Sequence, residues 1–281
     1  MVCATPIGNL GDVTLRVLDA LRDADVIAAE DTRVTRKLLS RYDIHTPLEP
    51  YHAKNLVART PVLVERIMAG TVVALVSDAG MPGVSDPGAH LVDAAIEAGV
   101  PVEVLPGASA MITALVASGL PTHAFYFGGF LPRKAGDRRR ALQKVADLDA
   151  TLLFYESPRR TAATLASVTE VMPHRRAAMA RELTKFFEEV ARAPVGELAA
   201  SVAGRELKGE VVLVIGPPQA GESGASQAIG SDDAEILEVY ASVLAEGLSR
   251  RDAVKETARR SGAPRNTVYG LVTRGGAARP S

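Results

Sequence analysis

The sequence predicts an α/β protein with two α/β domains and a small helical C-terminal domain, and three observations lead to that prediction. Short apolar segments alternate with helical segments through the first 120 residues, a pattern typical of a parallel sheet. After residue 121 the strands become more antiparallel in character. A stretch rich in Gly, Ser, Ala and Pro then precedes basic helical sequence. The predicted parts are two α/β domains, a linker and a basic helical domain, at 1–120, 121–216, 217–231 and 232–281.

Composition narrows the class of protein. The 281 residues are 47% hydrophobic, which is enough for more than one core. The absence of an apolar run of about 18 residues and of a charged-then-apolar leader disfavours a membrane span or a secretory signal, so we expect a cytoplasmic protein. One Cys and five scattered His exclude an internal disulfide and give no zinc-site spacing, so no metal is predicted.

The central feature is an apolar segment, residues 72–76, that leads into a loop of small and turn-forming residues at 77–88. Such a segment suits a parallel strand covered on both faces, and ligands of open α/β sheets bind outside the carboxyl ends of these strands. We therefore expect Asp78 to face a ligand. The loop lacks a P-loop ending and a Gly-x-Gly-x-x-Gly pattern, which disfavours a nucleoside triphosphate. For Asp86, capping of the helix that begins near Pro87 is an equally open interpretation.

Two other predicted strands of the first domain also end in polar or small residues. Residues 26–29 end in Glu30-Asp31-Thr32-Arg33, and residues 102–105 end in Pro106-Gly107 before a helix at 109–118. Because such ends meet at one edge of a parallel sheet, both are further candidate site segments. The alternative for the first is that Asp31 or Thr32 caps a helix and that Arg33 is a solvated surface charge.

The second domain combines predicted strands with a basic cluster. Between residues 133 and 144 six basic residues face one acidic residue, Asp137. A solvated helix face usually mixes signs, so the cluster indicates binding of a polyanion. Predicted strands lie at 125–127, 151–155, 177–180 and 209–215, and the predicted contacts of the cluster are Arg133, Lys134, Arg138, Arg139 and Arg140.

The C-terminal segment, residues 249–281, is also basic, with eight Lys and Arg against two acidic residues. Two short helices about a Gly turn resemble a helix-turn-helix, and a small capping bundle is the equally open alternative. Candidate polyanion contacts in this segment are Arg250, Arg251 and Arg265.

A series of short motifs resembles one family, the bacterial small-subunit ribosomal RNA cytidine 2′-O-methyltransferases among the tetrapyrrole methylase-like, class III S-adenosylmethionine enzymes. The match runs in order from residue 4 to residue 216. Its motifs are Thr5-Pro6-Ile7-Gly8-Asn9-Leu10, Glu30-Asp31-Thr32-Arg33, Ser77-Asp78-Ala79-Gly80-Met81-Pro82, Ser85-Asp86-Pro87-Gly88, Pro106-Gly107, Gly129-Phe130-Leu131-Pro132, Tyr155-Glu156-Ser157-Pro158 and Arg181-Glu182-Leu183-Thr184-Lys185.

The resemblance implies a tetrapyrrole methylase-like fold with S-adenosyl-L-methionine in a cleft between the two α/β domains. It also implies a homodimer, and methylation of a cytidine ribose in the decoding centre of 16S rRNA within the small ribosomal subunit. In the family the first strand usually begins several residues earlier than the segment Met1-Val2-Cys3 allows here. A shorter first strand makes fewer hydrogen bonds, so we expect a weakened edge of the sheet. The implied cofactor residues are Pro6, Asp78, Ala79, Met81, Ser109, Ala110, Tyr155 and Ala180.

Methyl transfer to a ribose requires a catalytic group near the hydroxyl. A 2′-hydroxyl is a poor nucleophile until its proton is removed, so the enzyme must position it and handle that proton. Lys185 is the first candidate, as a base if burial and Arg181 depress its pKa, or otherwise as a cation that stabilises the alkoxide. Glu30, Asp31 and Glu182 are alternatives. A structural interpretation is an ion-pair network of Arg181, Glu182 and Lys185 that holds the two domains together.

Two other functions compete with this one. A methylase of the same fold could act on a tetrapyrrole-type small molecule, which the basic clusters argue against. A non-catalytic RNA-binding protein would use the basic helices, but it leaves Asp78 and the polar strand ends unexplained.

Overall fold

The computed structural model describes residues 1–218, 233–261, 263 and 265–275. The chain divides into two compact units, 1–218 and 219–281. The predicted linker at 217–231 lies, apart from residues 217 and 218, outside the described residues.

The first sheet is fully parallel, with strand order β3-β2-β4-β1-β5. Strand β1 is only two residues long, but it pairs with β4 on one side and β5 on the other, so the expected weak edge is an inner position of the sheet. The strands are β1 (Val2–Cys3), β2 (Val26–Ala29), β3 (Leu48–Pro50), β4 (Val73–Val76) and β5 (Val104–Leu105).

Helices cover both faces of this sheet, as its uninterrupted apolar strands require. In β4, Ala74 and Val76 pack in the core with α1 and α2, whereas Val73 and Leu75 pack on the opposite face with α3 and α4. The helices are α1 (Leu15–Asp23), α2 (Thr32–Arg41), α3 (Leu56–Met68) and α4 (Gly88–Glu97).

The second sheet is mixed, with order β6-β7-β10-β8-β9. Strands β6 and β7 are parallel, and β10 runs antiparallel to both β7 and β8. Because Glu156 of β7 and Arg181 of β8 both pair with Val211, the carboxyl ends of β6, β7 and β8 lie at one edge. The strands are β6 (Phe125–Phe130), β7 (Thr151–Glu156), β8 (Arg176–Arg181), β9 (Glu189–Pro194) and β10 (Val211–Ile215).

The faces of the second sheet are also covered. Helices α6, α7 and α8 pack on one face around Leu142, Leu165 and Leu198. Helix α5 packs on the other through Ala114 and Leu115, so a helix from the predicted first domain lies on the second sheet. These helices are α5 (Ala110–Ser118), α6 (Ala135–Gln143), α7 (Thr161–Val171) and α8 (Val195–Val202).

The C-terminal unit contains three helices among its described residues, α9 (Asp233–Ala245), α10 (Arg250–Ser261) and α11 (Arg265–Gly275). Its core includes Tyr240, Val254 and Val268. The two helices expected from the sequence correspond to α10 and α11, and α9 is additional. In the part of the chain that the structure describes, no helix is long and apolar enough to cross a membrane.

Candidate active site

The central loop after β4 is joined to the loop after β1. Thr5 and Gly80 form an isolated antiparallel bridge, with Thr5 N donating to Gly80 O at 2.9 Å and Gly80 N donating to Thr5 O at 3.0 Å. Gly80 has φ of 82°, in the left-handed region that favours glycine. The bridge holds the central loop, which carries Asp78, alongside Pro6 of the loop after β1.

Asp86 holds the far end of this loop. Its carboxylate accepts hydrogen bonds from Gly83 N at 2.8 Å and from Gly88 N, the first residue of α4, at 2.7 Å. These contacts correspond to the capping interpretation of Asp86. The carboxylate therefore stabilises the loop and the start of the helix.

Asp78 and Glu30 are neighbouring carboxylates at the ends of adjacent strands. Asp78 Oδ1 accepts a hydrogen bond from Asp31 N at 2.9 Å. Burial raises the pKa of Asp78 above its usual value, and burial together with the charge of Asp78 raises the pKa of Glu30. This wall of the site therefore carries negative charge that would favour hydrogen-bond donors on a ligand.

Asp31 caps a helix and Arg33 is an exposed charge, which is the alternative to a site role that the sequence analysis left open. Asp31 is the N-cap of α2 and accepts from Arg33 N at 2.8 Å. The exposed Arg33 guanidinium also hydrogen-bonds to the same carboxylate and holds the pKa of Asp31 down at about 2. Both oxygens of Asp31 are thus occupied within the segment.

Lys185 is held by carboxylates of the second sheet. Its Nζ donates to Glu182 Oε1 at 2.8 Å and to Glu210 Oε2 at 2.9 Å. Burial acts to lower the pKa of Lys185, but the two carboxylates outweigh burial and raise it. The condition on which Lys185 was expected to act as a base, a lowered pKa, is therefore not met, and these contacts favour its cationic role.

The predicted network of Arg181, Glu182 and Lys185 is also different in the structure. Arg181 pairs with Glu189 at 2.9 Å, while Glu182 and Glu210 bind Lys185. Contact with the loop after β1 is made by Leu183, Thr184 and the aliphatic part of Lys185. A Cβ on Gly8 would lie 2.6 Å from Lys185 Cγ and 2.7 Å from Leu183 O, so only glycine allows this approach.

One cleft is lined by three of the predicted cofactor residues and by one of the predicted catalytic residues, Lys185. Its volume is about 320 Å³. It lies between the loop after β1, helix α2, the central loop and the Lys185 turn. Its lining includes Pro6, Asp78, Ala79, Lys37, Lys185 and Glu210.

Sequence reasoning assigned no role to Lys37 or Glu210. Lys37 lies four residues after Arg33 on α2, so the helical spacing in the sequence places both on the same face of the helix. Glu210 immediately precedes β10, and only the strand pairing of Val211 with Arg181 brings it beside Lys185. That proximity has no local signal in the sequence.

The remaining predicted cofactor residues lie around the same edge. Ala110, Tyr155 and Ala180 pack in one apolar cluster with Ile7, the neighbour of Pro6. The Tyr155 ring lies 5.6 Å from the Phe130 ring. Met81 follows Gly80 in the central loop, and Ser109 is the N-cap of α5, where its side chain makes no capping hydrogen bond.

Arg138 is a correction to the predicted RNA-contacting set. It is 5% exposed and donates to Ser167 Oγ, Arg133 O and Ala163 O, so its guanidinium is used inside the protein. Arg139 pairs with Glu170, and Arg140 pairs with Asp137. The exposed cations of the cluster are Arg133, Lys134, Arg139, Arg140 and Lys144.

A buried ion pair anchors the segment before α6. Glu156 is 3% exposed and accepts from Thr164 Oγ1 at 2.6 Å, with Arg160 at 3.2 Å. Arg160 in turn donates to Leu131 O at 2.6 Å. With the bond from Arg138 to Arg133 O, this contact holds the backbone of the segment that carries Arg133 and Lys134.

In the C-terminal unit, Arg250 and Arg251 are exposed at the start of α10. Arg260 pairs with Glu246 and Glu256, so Glu246 has the basic partner that the sequence did not indicate. The side chain of Arg265 lies outside the described residues.

Family models match most of the chain. Residues 2–199 match the model of Tetrapyrrole (Corrin/Porphyrin) Methylases, and residues 230–273 match that of the RsmI C-terminal HTH domain. The first match agrees with the α/β fold class predicted from the sequence. The second agrees with the helix-turn-helix interpretation of the C-terminal segment.

Solved structures show the same fold. The methyltransferase CobJ has a TM-score of 0.59 at 22% identity, over 81% of this chain and 95% of that one. Uroporphyrin-III C-methyl transferase from Thermus thermophilus, complexed with S-adenyl homocysteine, has a TM-score of 0.54 at 22% identity, over 76% and 95%. At these identities the likeness establishes the fold alone.

Sequence relatives are closer. A protein of Halalkalibacterium halodurans named Ribosomal RNA small subunit methyltransferase I is 42% identical over 268 residues, 95% of this chain and 92% of that protein. Its namesake from Micromonospora olivasterospora is 45% identical over 270 residues, 95% of this chain and 84% of that protein. The chain therefore belongs to the tetrapyrrole methylase family and, within it, to the ribosomal RNA small subunit methyltransferases I.

Proposed function

We propose that this protein is an S-adenosyl-L-methionine-dependent methyltransferase that methylates the 2′-hydroxyl of a cytidine in the decoding centre of 16S rRNA, acting on the small ribosomal subunit. The observation that carries the proposal is a cleft lined both by Asp78, which follows a strand of the first sheet, and by Lys185, which follows a strand of the second. The names of the relatives supply the rRNA substrate. The cleft supplies separate groups for a cofactor and for a hydroxyl.

The residues present fit the cofactor. S-Adenosylmethionine carries ribose hydroxyls, an ammonium and a sulfonium, and the wall of Asp78 and Glu30 offers acceptors and negative charge. Ala110, Tyr155 and Ala180 offer apolar surface. The proposed cofactor residues are Pro6, Asp78, Ala79, Met81, Ser109, Ala110, Tyr155 and Ala180.

When bound, the cofactor supplies an electrophilic methyl group. The chain must then hold the ribose oxygen in line and remove its proton. Lys185, kept protonated by Glu182 and Glu210, donates to that oxygen and favours its alkoxide form. Glu210 also lines the cleft and is largely exposed. We therefore assign it the role of accepting the proton of the ribose hydroxyl and passing it to solvent. Glu30 and Asp31 contribute charge to the opposite wall.

The remaining features of the proposal concern partners. Arg133, Lys134, Arg139 and Arg140 contact rRNA phosphates, and Arg250, Arg251 and Arg265 are the proposed contacts of the C-terminal unit. The family resemblance is the support for a homodimer and for a cytoplasmic location. We propose domain boundaries at 1–120, 121–216, 217–231 and 232–281.

The proposal is tested by methyl transfer from tritiated S-adenosylmethionine to small subunits, to naked 16S rRNA and to a uroporphyrinogen-type tetrapyrrole. We expect label in the small subunits, retained on a cytidine 2′-oxygen after nuclease digestion. Calorimetry with the cofactor accompanies the assay. Label in the tetrapyrrole alone would replace the proposal with the small-molecule alternative, and cofactor binding without transfer to any substrate would also contradict it.

A further inference from the structure

Two aromatic side chains lie exposed beside the cleft. Phe186 and Phe187 follow Lys185 directly and are 94% and 69% exposed. Their rings are in edge-to-face contact, with centroids 5.0 Å apart. Large apolar side chains usually avoid such positions, so this pair requires an explanation beyond the stability of the fold.

A hydrogen-bonded turn holds the two rings outward. Glu188 N donates to Lys185 O at 3.1 Å, so Phe186 and Phe187 are the central residues of a β-turn, where Gly, Pro, Asn and Asp are usual. Glu188 Oε2 accepts from Thr184 N at 2.7 Å. The exposure of the rings is therefore set by a defined backbone.

The same turn is attached to the first sheet. Thr184 has φ of 62° and accepts a hydrogen bond from Asn9 N at 3.0 Å through Oγ1. A positive φ at a β-branched residue is costly and persists only where surrounding contacts impose it. The turn thus fixes Lys185 in the cleft and Phe186 just outside it.

The sheet topology places cations along the same edge. Arg133 and Lys134 follow β6, and the Lys185 turn follows β8, whose carboxyl end lies at the same edge. Phe130 of β6 is also 57% exposed at that edge. Exposed rings combined with cations that can bind phosphate are the features of surfaces that hold unpaired nucleic acid.

We propose that Phe186, supported edge-on by Phe187, stacks against an unpaired nucleobase next to the ribose that enters the cleft. This inference rests on the proposed function, because it specifies how the same site binds its RNA. A ribose hydroxyl can reach Lys185 only if its nucleotide leaves regular stacking, and an aromatic face offsets that loss for any base. A protein partner is a poorer fit, because the pair of rings is flanked by Lys185 and Glu188 and is small for a protein interface.

The test compares Phe186→Ala, Phe186→Leu and Phe186→Trp in methyl transfer to small subunits. Leu keeps apolar bulk but has no π face, whereas Trp keeps the face. We expect Ala and Leu to lower kcat/KM by about fivefold to a hundredfold through KM, and Trp to retain wild-type activity. Cofactor affinity should not change. Phe125→Ala, an exposed Phe at the other end of β6, is the matched control and should behave as wild type.

A second readout does not depend on turnover. The chain has no tryptophan, so Phe186→Trp carries a single fluorophore at the proposed contact. We expect oligocytidylate and small subunits to quench its emission. Absence of quenching, wild-type kinetics for Leu, or a change in oligomeric mass for Ala would each overturn the stacking proposal. Wild-type enzyme that transfers no methyl to subunits would instead overturn the proposed function, whatever the fluorescence shows.

Discussion

The two walls of the cleft differ in how their charges are balanced. On the first sheet, Glu30 and Asp78 lie together, and burial raises the pKa of both carboxyl groups. On the second sheet, Lys185 lies between Glu182 and Glu210, and the hydrogen bonds among them raise the pKa of the lysine and lower that of Glu182 against the effect of burial. Among the described residues neither Glu30 nor Asp78 forms an ion pair, although Lys37 also lines that side of the cleft, whereas Lys185 is paired with two carboxylates.

This difference indicates a division of work. Carboxylates without an ion-pair partner gain most when hydrogen-bond donors or positive charge arrive. A lysine with two carboxylate partners stays protonated and fixed in geometry. The first wall therefore suits the cationic cofactor, and the second suits a hydroxyl that becomes an alkoxide.

The largest expected effect is at the second wall. Replacing Lys185 by Met removes the cation but keeps much of the side-chain length. We expect the rate of methyl transfer to fall by about a hundredfold or more, because the group that stabilises the alkoxide is lost. Single-turnover transfer to saturating small subunits measures this rate, with cofactor affinity and melting temperature near wild type.

The matched control is Lys208→Met, an exposed lysine that does not line the cleft. The pH dependence separates the two roles of Lys185. A lysine base with a pKa above its usual 10.5 would make the wild-type rate rise about tenfold per pH unit between pH 7 and 9. A cation gives a flat profile, which is our expectation. Lys185→Met at the wild-type rate would exclude both roles.

A smaller effect is expected at the first wall. Asp78→Ala removes a charge-assisted acceptor, so S-adenosylmethionine should bind about tenfold to a hundredfold more weakly by calorimetry. Because the pKa of Asp78 is raised on folding, its ionised form opposes folding above that pKa, and this cost disappears below the usual value of 3.8. The variant should therefore melt no lower than wild type at neutral pH. Asp93→Ala, on exposed helix α4 surface, is the control.

Local signals in the sequence predicted much of this molecule. The apolar residues of β2 and the small, turn-forming residues at 77–88 are typical of a buried strand and of a shaped loop. The family motifs also implied that Asp78 and Lys185 line the same cleft, as they do. Strands β3 and β9 were missed, because both are short of β-branched residues and both contain Pro. Their assignment depends on neighbouring strands.

Electrostatic roles were harder to predict than positions. Glu210 is 25 residues from Lys185, and Ser167 is 29 residues from Arg138. The contact with Glu210 helps to raise the pKa of Lys185, where the base role required a lowered one. The contact with Ser167 holds Arg138 inside the protein, where the sequence predicted a surface arginine. Both outcomes depend on tertiary contacts between residues that have no periodic relation in the chain.

The smallest expected effect lies beyond the cleft, on the rim of the second sheet. Arg133 and Lys134 are exposed on a backbone that Arg138 and Arg160 hold, so both can reach phosphate at little conformational cost. The double variant Arg133→Ala/Lys134→Ala should weaken subunit binding and flatten its log-log salt slope by about 0.7 to 0.9 per lost contact. Equilibrium binding measured across a salt series gives the slope.

Two further variants decide whether the rim acts through charge. Arg16→Ala/Arg22→Ala removes two exposed arginines of α1 and should leave the salt slope unchanged. Arg138→Ala should lower the melting temperature, because it removes a buried side chain and its three hydrogen bonds. If the rim variant instead lowers methylation with an unaltered salt slope, Arg133 and Lys134 do not bind phosphate, and recognition on the second sheet depends on the Lys185 turn alone.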